Sequence, residues 1–93
     1  MQQAYRHLVR FALALGHTVS VWDGEAWQVK RSKSLKAIVD AIKSVEEAQL
    51  RIRDADGNVI GWARVAAYGF EPDETVIDNT LTPFMESWEQ AYN

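Results

Sequence analysis

The chain has 93 residues, 47% of them apolar, no cysteine and a formal net charge of −3. That length suits one domain spanning residues 1–93 rather than two, and the apolar share allows a core without covalent staples. The lack of cysteine excludes a disulfide scaffold, thiolate chemistry and any zinc site that uses sulfur.

Residues 4–15 carry Ala4, Leu8, Ala12 and Leu15 at helical spacing, with Tyr5, Val9 and Phe11 widening the stripe. Gly16 is a natural stop, because glycine adopts the left-handed cap conformation without a Cβ penalty. The apolar stretch from Leu8 to Leu15 is broken by Arg10 and lacks the cleavage region of a secretory leader. No run approaches the ~20 apolar residues that a membrane-spanning helix needs. The expected location is therefore the cytoplasm, with no membrane partner.

A hairpin follows. Val19 and Val21 alternate with Thr18, Ser20 and Trp22, and Trp27 and Val29 alternate on the return. Placing all four on one face requires an odd loop, and Trp22-Asp23-Gly24 meets that requirement. Ser32 and Ser34 are candidate caps for a second helix, in which Leu35, Ile38, Val39 and Ile42 keep an amphipathic spacing.

The second hairpin alternates Ala48, Leu50 and Ile52 with Gln49, Arg51 and Arg53, and turns through Asp54–Asn58. A three-residue loop ending at Gly57 places Ile60 and Trp62 beside Leu50 and Ile52. The other register turns Val59, Ala63 and Val65 inward. The first is preferred because a Trp ring buries roughly 150–250 Å². Residues 69–80 read as an acidic loop. Thr82 and Pro83 then open a last helix with Leu81, Phe84, Met85, Trp88 and Tyr92 on its apolar face.

The predicted fold class is α+β, in the order α-β-β-α-β-β-α. It has a four-stranded antiparallel sheet with the helices packed on one face. The predicted core contains Val19, Val21, Trp27, Ile38, Ile42, Leu50, Ile52 and Trp62.

No catalytic constellation accompanies this pattern, and an enzyme is not expected. His7 and His17 have no partner at metal-ligand spacing. Asp54-x-Asp56-Gly57 resembles the start of a calcium loop, but positions one and twelve of that motif fall on Ile52 and Ala63. Neither a metal nor a cofactor is expected, and the glycines form no phosphate-binding fingerprint.

Charge is the feature that points outward. Residues 1–45 carry seven Lys/Arg against three acids, whereas residues 46–93 carry three Arg against ten acids. Glu71, Asp73, Glu74, Asp78, Glu86 and Glu89 are thus candidates for a surface that meets a basic partner. The alternative is a nucleic-acid-binding module using Lys30, Arg31, Lys33, Lys36, Arg51 and Arg53. Against it stand the acidic total and the single exposed aromatic, Trp22, expected beside the open sheet face.

The segments His17-Thr-Val-Ser-Val-Trp-Asp-Gly-Glu-Ala-Trp27 and Asp54-Ala-Asp-Gly-Asn-Val-Ile-Gly-Trp62 resemble a group of small, uncharacterised bacteriophage and prophage accessory proteins. The likeness extends over residues 6–88 and carries no catalytic residues. It implies an accessory phage protein, a class whose members often bind and inhibit a host factor, including nucleases of antiviral defence. With the acidic surface, the expected partner is a basic host protein, bound without catalysis.

Overall fold

The alternation in residues 18–22 and 48–53 builds the centre of a sheet. In the computed structural model, which describes residues 3–93, strand β1 (Thr18–Trp22) pairs antiparallel with β3 (Ala48–Arg53), with Val19 opposite Ile52 and Val21 opposite Leu50. Strand β2 (Trp27–Ser32) flanks β1, while β4 (Val59–Val65) and β5 (Val76–Asn79) continue the sheet beyond β3. The order is β2-β1-β3-β4-β5 and every neighbouring pair is antiparallel. Helix α2 (Leu35–Lys43) carries the chain from β2 over to β3, so those two strands run parallel on either side of β1.

Helix α1 (Ala4–Ala14), α2 and α3 (Pro83–Tyr92) share one core on one side of this sheet. They bury Tyr5, Leu8, Val9 and Ala12, Ile38, Val39 and Ile42, and Phe84, Met85 and Trp88 against Val19, Val21, Leu50, Ile52, Ala63 and Val65. The class and helix count are as predicted, but the sheet has five strands and not four. The segment read as an acidic loop contains a short 3-10 turn (Pro72–Glu74) and then the edge strand β5. Two of the four β5 residues are Asp78 and Asn79, types depleted in strands, and they pair because β4 presents a free ladder to them.

The caps follow the sequence. The Ser34 hydroxyl accepts the Ala37 N–H at 3.2 Å, and Thr82 accepts that of Met85 at 3.4 Å. The start of α1 is capped from far away. Gln3 makes no side-chain cap, and the Tyr5 N–H donates to the buried Thr75 hydroxyl at 3.0 Å. Thr75 in turn donates to the Pro72 carbonyl, and its own carbonyl accepts from the Ala66 N–H at 2.9 Å.

Two of the predicted core residues lie elsewhere. In the first hairpin Trp22 sits directly opposite Trp27, and the loop is the four residues Asp23–Ala26. An extra β2 residue, Gln28, between the Val21–Val29 and Trp22–Trp27 pairs forms a bulge that lets Val29 face the core while Trp27 does not. In the second hairpin Arg53 pairs with Val59 across a five-residue turn, and a bulge follows. This register turns Gly61, Ala63 and Val65 toward the helices and Trp62 away from them. It corrects the preferred alignment and also departs from the alternative one, since Val59 is 52% exposed. The cause is α3. A Cβ on Gly61 would stand 2.9 Å from Met85 Sδ and 3.2 Å from the Phe84 ring. Only a stripe of small residues lets α3 lie this close to β4, so the large ring goes to the other side.

Candidate functional site

The sheet face opposite the helices gathers what the two hairpins turned outward. Trp22 comes from β1, Trp27 from β2, Gln49, Arg51 and Arg53 from β3, and Trp62 from β4. The register fixes their adjacency: Trp22 is opposite both Trp27 and Gln49, and Arg51 lies between Ser20 and Trp62. The Trp22 and Trp27 rings meet edge to face at 5.1 Å. The Arg51 guanidinium lies 5.0 Å from the centre of the Trp27 ring, within range of a cation–π contact. Trp62 Nε1–H donates to Gln49 Oε1 at 3.3 Å, which orients the indole on the face. Together Trp22, Trp27, Gln49, Leu50, Arg51 and Trp62 line a shallow cleft of about 250 Å³. Three half-buried tryptophans beside an arginine offer a ligand both π-faces and positive charge.

A second cleft, of about 190 Å³, adjoins the first and shares Trp27 and Arg51 with it. Ser20, Lys30, Arg31 and Arg53 complete it. The structure thus brings together four of the six basic residues singled out in the sequence: Lys30, Arg31, Arg51 and Arg53. Lys33 lines a neighbouring depression with Arg31, Asp54 and Asp56. Lys36 belongs to α2, on the helical side, where it pairs with Asp40 at 2.6 Å. Their mutual hydrogen bond is the largest cause of the raised Lys36 pKa and the lowered Asp40 pKa.

The acidic residues occupy the other end of the sheet. Glu71, Asp73 and Glu74 lie in the β4–β5 connection, Asp78 on β5 opposite Arg64, and Glu86 and Glu89 on α3. Asp73 and Glu89 line one depression with Trp88 and Tyr92, and Glu89 accepts a hydrogen bond from Asn79 Nδ2 at 3.4 Å. Among the described residues, none of these acids forms an ion pair with the basic end of the sheet, and no three His, Asp or Glu side chains are placed to hold a metal ion. Nor is any helix there long and apolar enough to cross a membrane. The two histidines are tied to α3: His7 Nδ1 accepts from Trp88 Nε1–H at 3.0 Å, and His17 packs against Phe84.

The aromatic half of this face escaped the sequence reading, which assigned Trp27 and Trp62 to the core. A signal was present. Gly61 and Ala63 alternate with Trp62, and two small residues two apart are what a sheet offers where a helix bearing Phe84, Met85 and Trp88 must approach. Comparison with protein-family models, with curated proteins and with solved structures returns no match.

Proposed function

We propose that the protein is a non-catalytic binding module whose open sheet face holds single-stranded nucleic acid. The observation that carries this reading is the set Trp22, Trp27 and Trp62 around Arg51 on a helix-free sheet face. Bases stack on such rings at roughly 1–3 kcal/mol each, and adjacent cations follow the phosphates. The net charge of −3 opposes a polyanion only if charge is spread evenly. Here Lys30, Arg31, Arg51 and Arg53 gather at the β2–β3 end, away from the acids of β5 and α3.

Titration with short single-stranded DNA and RNA at low salt, read by tryptophan fluorescence, tests the proposal. Stacking should quench the emission with an affinity that falls as salt rises, and Trp27→Ala should weaken binding. Unchanged emission and no mobility shift with either polymer would reject it.

A second reading concerns the acidic end and a basic protein partner, in keeping with an inhibitor of a host nuclease. It is favoured by Glu71, Asp73, Glu74, Asp78, Glu86 and Glu89 having no ion pair with the basic end among the described residues. Replacing Glu71, Asp73, Glu74 and Asp78 together by Ser should abolish nuclease binding while preserving the fold, since surface changes usually cost within ~0.5 kcal/mol each. Equal binding by wild type and variant would exclude it.

A further inference from the structure

We propose that the cleft of Ser20, Lys30, Arg31, Arg51 and Arg53 beside Trp27 is a phosphate subsite that takes the terminal phosphate monoester of a bound strand. This rests on the nucleic-acid reading above. Four cations line the cleft with Ser20 and Trp27, and among the described residues no carboxylate does. The nearest acid in sequence, Asp54, is committed to its own turn, where Oδ1 accepts the N–H groups of Asp56 and Asn58 at 3.0 and 2.9 Å. Asp54 and Asp56 border Arg31 only from the adjoining depression, so the like charges gathered inside the cleft repel, and an anion there removes the repulsion. Partial desolvation first, then the charges of Arg31 and Arg51, lower the Arg53 pKa.

Backbone geometry at Arg31 points the same way. It is the one non-glycine among the described residues with a positive φ, 47°. That region disfavours any side chain with a Cβ, and strained residues of this kind cluster at ligand sites. Arg31 lies where β2 bulges against β1, a place where glycine would relieve the strain. Its N–H donates to Ser20 Oγ at 2.8 Å, and Ser20 is only 2% exposed. The hydroxyl accepts in that bond, so its own hydrogen can turn to an oxygen in the cleft.

Position selects a strand end rather than an internal phosphate. The cleft runs from the edge strand β2 across β1 to β3, with two of its four cations on β2, and Arg51 belongs to both clefts with its guanidinium over Trp27. A phosphate here leaves its first base against Trp27. The remaining chain then has one direction across the face, toward Trp62, three strand spacings or roughly 14 Å away. A monoester also carries nearly twice the charge of a diester, which suits a fourfold cationic cleft.

The test compares one oligonucleotide bearing a 5′-phosphate, a 3′-phosphate or hydroxyls only, at fixed salt, alongside inorganic phosphate by calorimetry. One phosphorylated end should bind at least tenfold tighter than the hydroxyl form. Arg53→Gln and Ser20→Ala should each erase that preference while leaving residual binding to the hydroxyl form. Arg31→Gly should erase it as well while raising Tm by a few degrees, an outcome that damage to the fold cannot mimic. Equal affinity for all three ends overturns the subsite and leaves the nucleic-acid reading standing. Binding of inorganic phosphate, sensitive to Arg53→Gln, without binding of any oligonucleotide overturns the strand-end assignment together with that reading. Binding of neither overturns both.

Discussion

The two faces of the sheet are made by the same five strands and follow opposite rules. Toward the helices, β3 and β4 present Ala48, Leu50, Ile52, Gly61, Ala63 and Val65, all buried. Toward the open side the same strands present Gln49, Arg51, Arg53, Trp62 and Arg64, none fully buried. The larger and more expensive side chains are on the side with nothing over them. Size therefore does not decide which face is the core; the space left by α3 does. A protein that needed its tryptophans only for stability would have them in the core, as it has Trp88 of α3, at 4% exposure.

The sharpest way to break this contrast is to cut one residue on each side. Leu50→Ala, on the buried face, should cost about 2–5 kcal/mol in denaturant unfolding and leave oligonucleotide affinity unchanged in the folded protein. Trp62→Ala, on the opposite face of the sheet, should cost only about 1 kcal/mol, a cross-strand contact's worth. Its effect belongs in binding, as does that of Trp27→Ala. Each should weaken a stacked strand by roughly 5- to 150-fold, equivalent to about 1–3 kcal/mol. A Trp62→Ala variant as unstable as Leu50→Ala would mean the register of β4 is the other one.

How far the sequence specified this arrangement follows from these residues. Helices, caps and the β1–β3 pairing are set by local patterns: Ile38, Val39 and Ile42 repeat at helical spacing, Ser34 and Thr82 stand at caps, and Val19, Val21, Leu50 and Ile52 alternate cleanly. The open face was hidden because its aromatics flank bulges. One inserted residue between Trp27 and Val29 sends them to opposite sides, and alternation cannot register that. The basic cluster was half legible: its residues stood out by charge, but their convergence with Trp27 depends on α2 carrying the chain so that β2 and β3 flank β1. β5 was lost for a different reason, since an edge strand takes its structure from its neighbour more than from its own composition.

Smaller effects sharpen the contrast at the two left-handed positions near the basic cleft. Gly57, at φ 86°, lies within the β3–β4 turn, and Gly57→Ala should cost about 1–2 kcal/mol by thermal unfolding. Arg31→Gly should act in the opposite sense and stabilise by up to about 1 kcal/mol. Opposite responses at neighbouring sites would mark one as structural and the other as held for a ligand.

The smallest expected effect is in acid. Hydrogen bonds from the Ala26 and Glu25 N–H groups lower the Asp23 pKa, and those from Asn58 and Asp56 lower that of Asp54, each from 3.8. A carboxylate held low in the folded state stabilises above its unfolded value and loses that contribution as pH falls through the folded one. Asp54→Asn should therefore differ from the parent protein in stability at pH 7 and converge with it well below pH 3.8. A difference that persists unchanged at low pH would assign the turn to side-chain shape and not to charge.

The Thr75 cap has a consequence for the order of events at the ribosome. The second residue of α1 donates its N–H to a hydroxyl 70 positions downstream, and Trp88 reaches back to His7 across 81. An eleven-residue helix is marginal in water by itself. Helix α1, made before α2 and α3, is thus among the last to be secured, and a nascent chain that stops short of Thr75 leaves it open. Closure of such distant pairs slows folding and prolongs exposure of the α1 stripe. The chain should reach protease resistance in one late step, when Thr75 and α3 have emerged, rather than gaining it helix by helix.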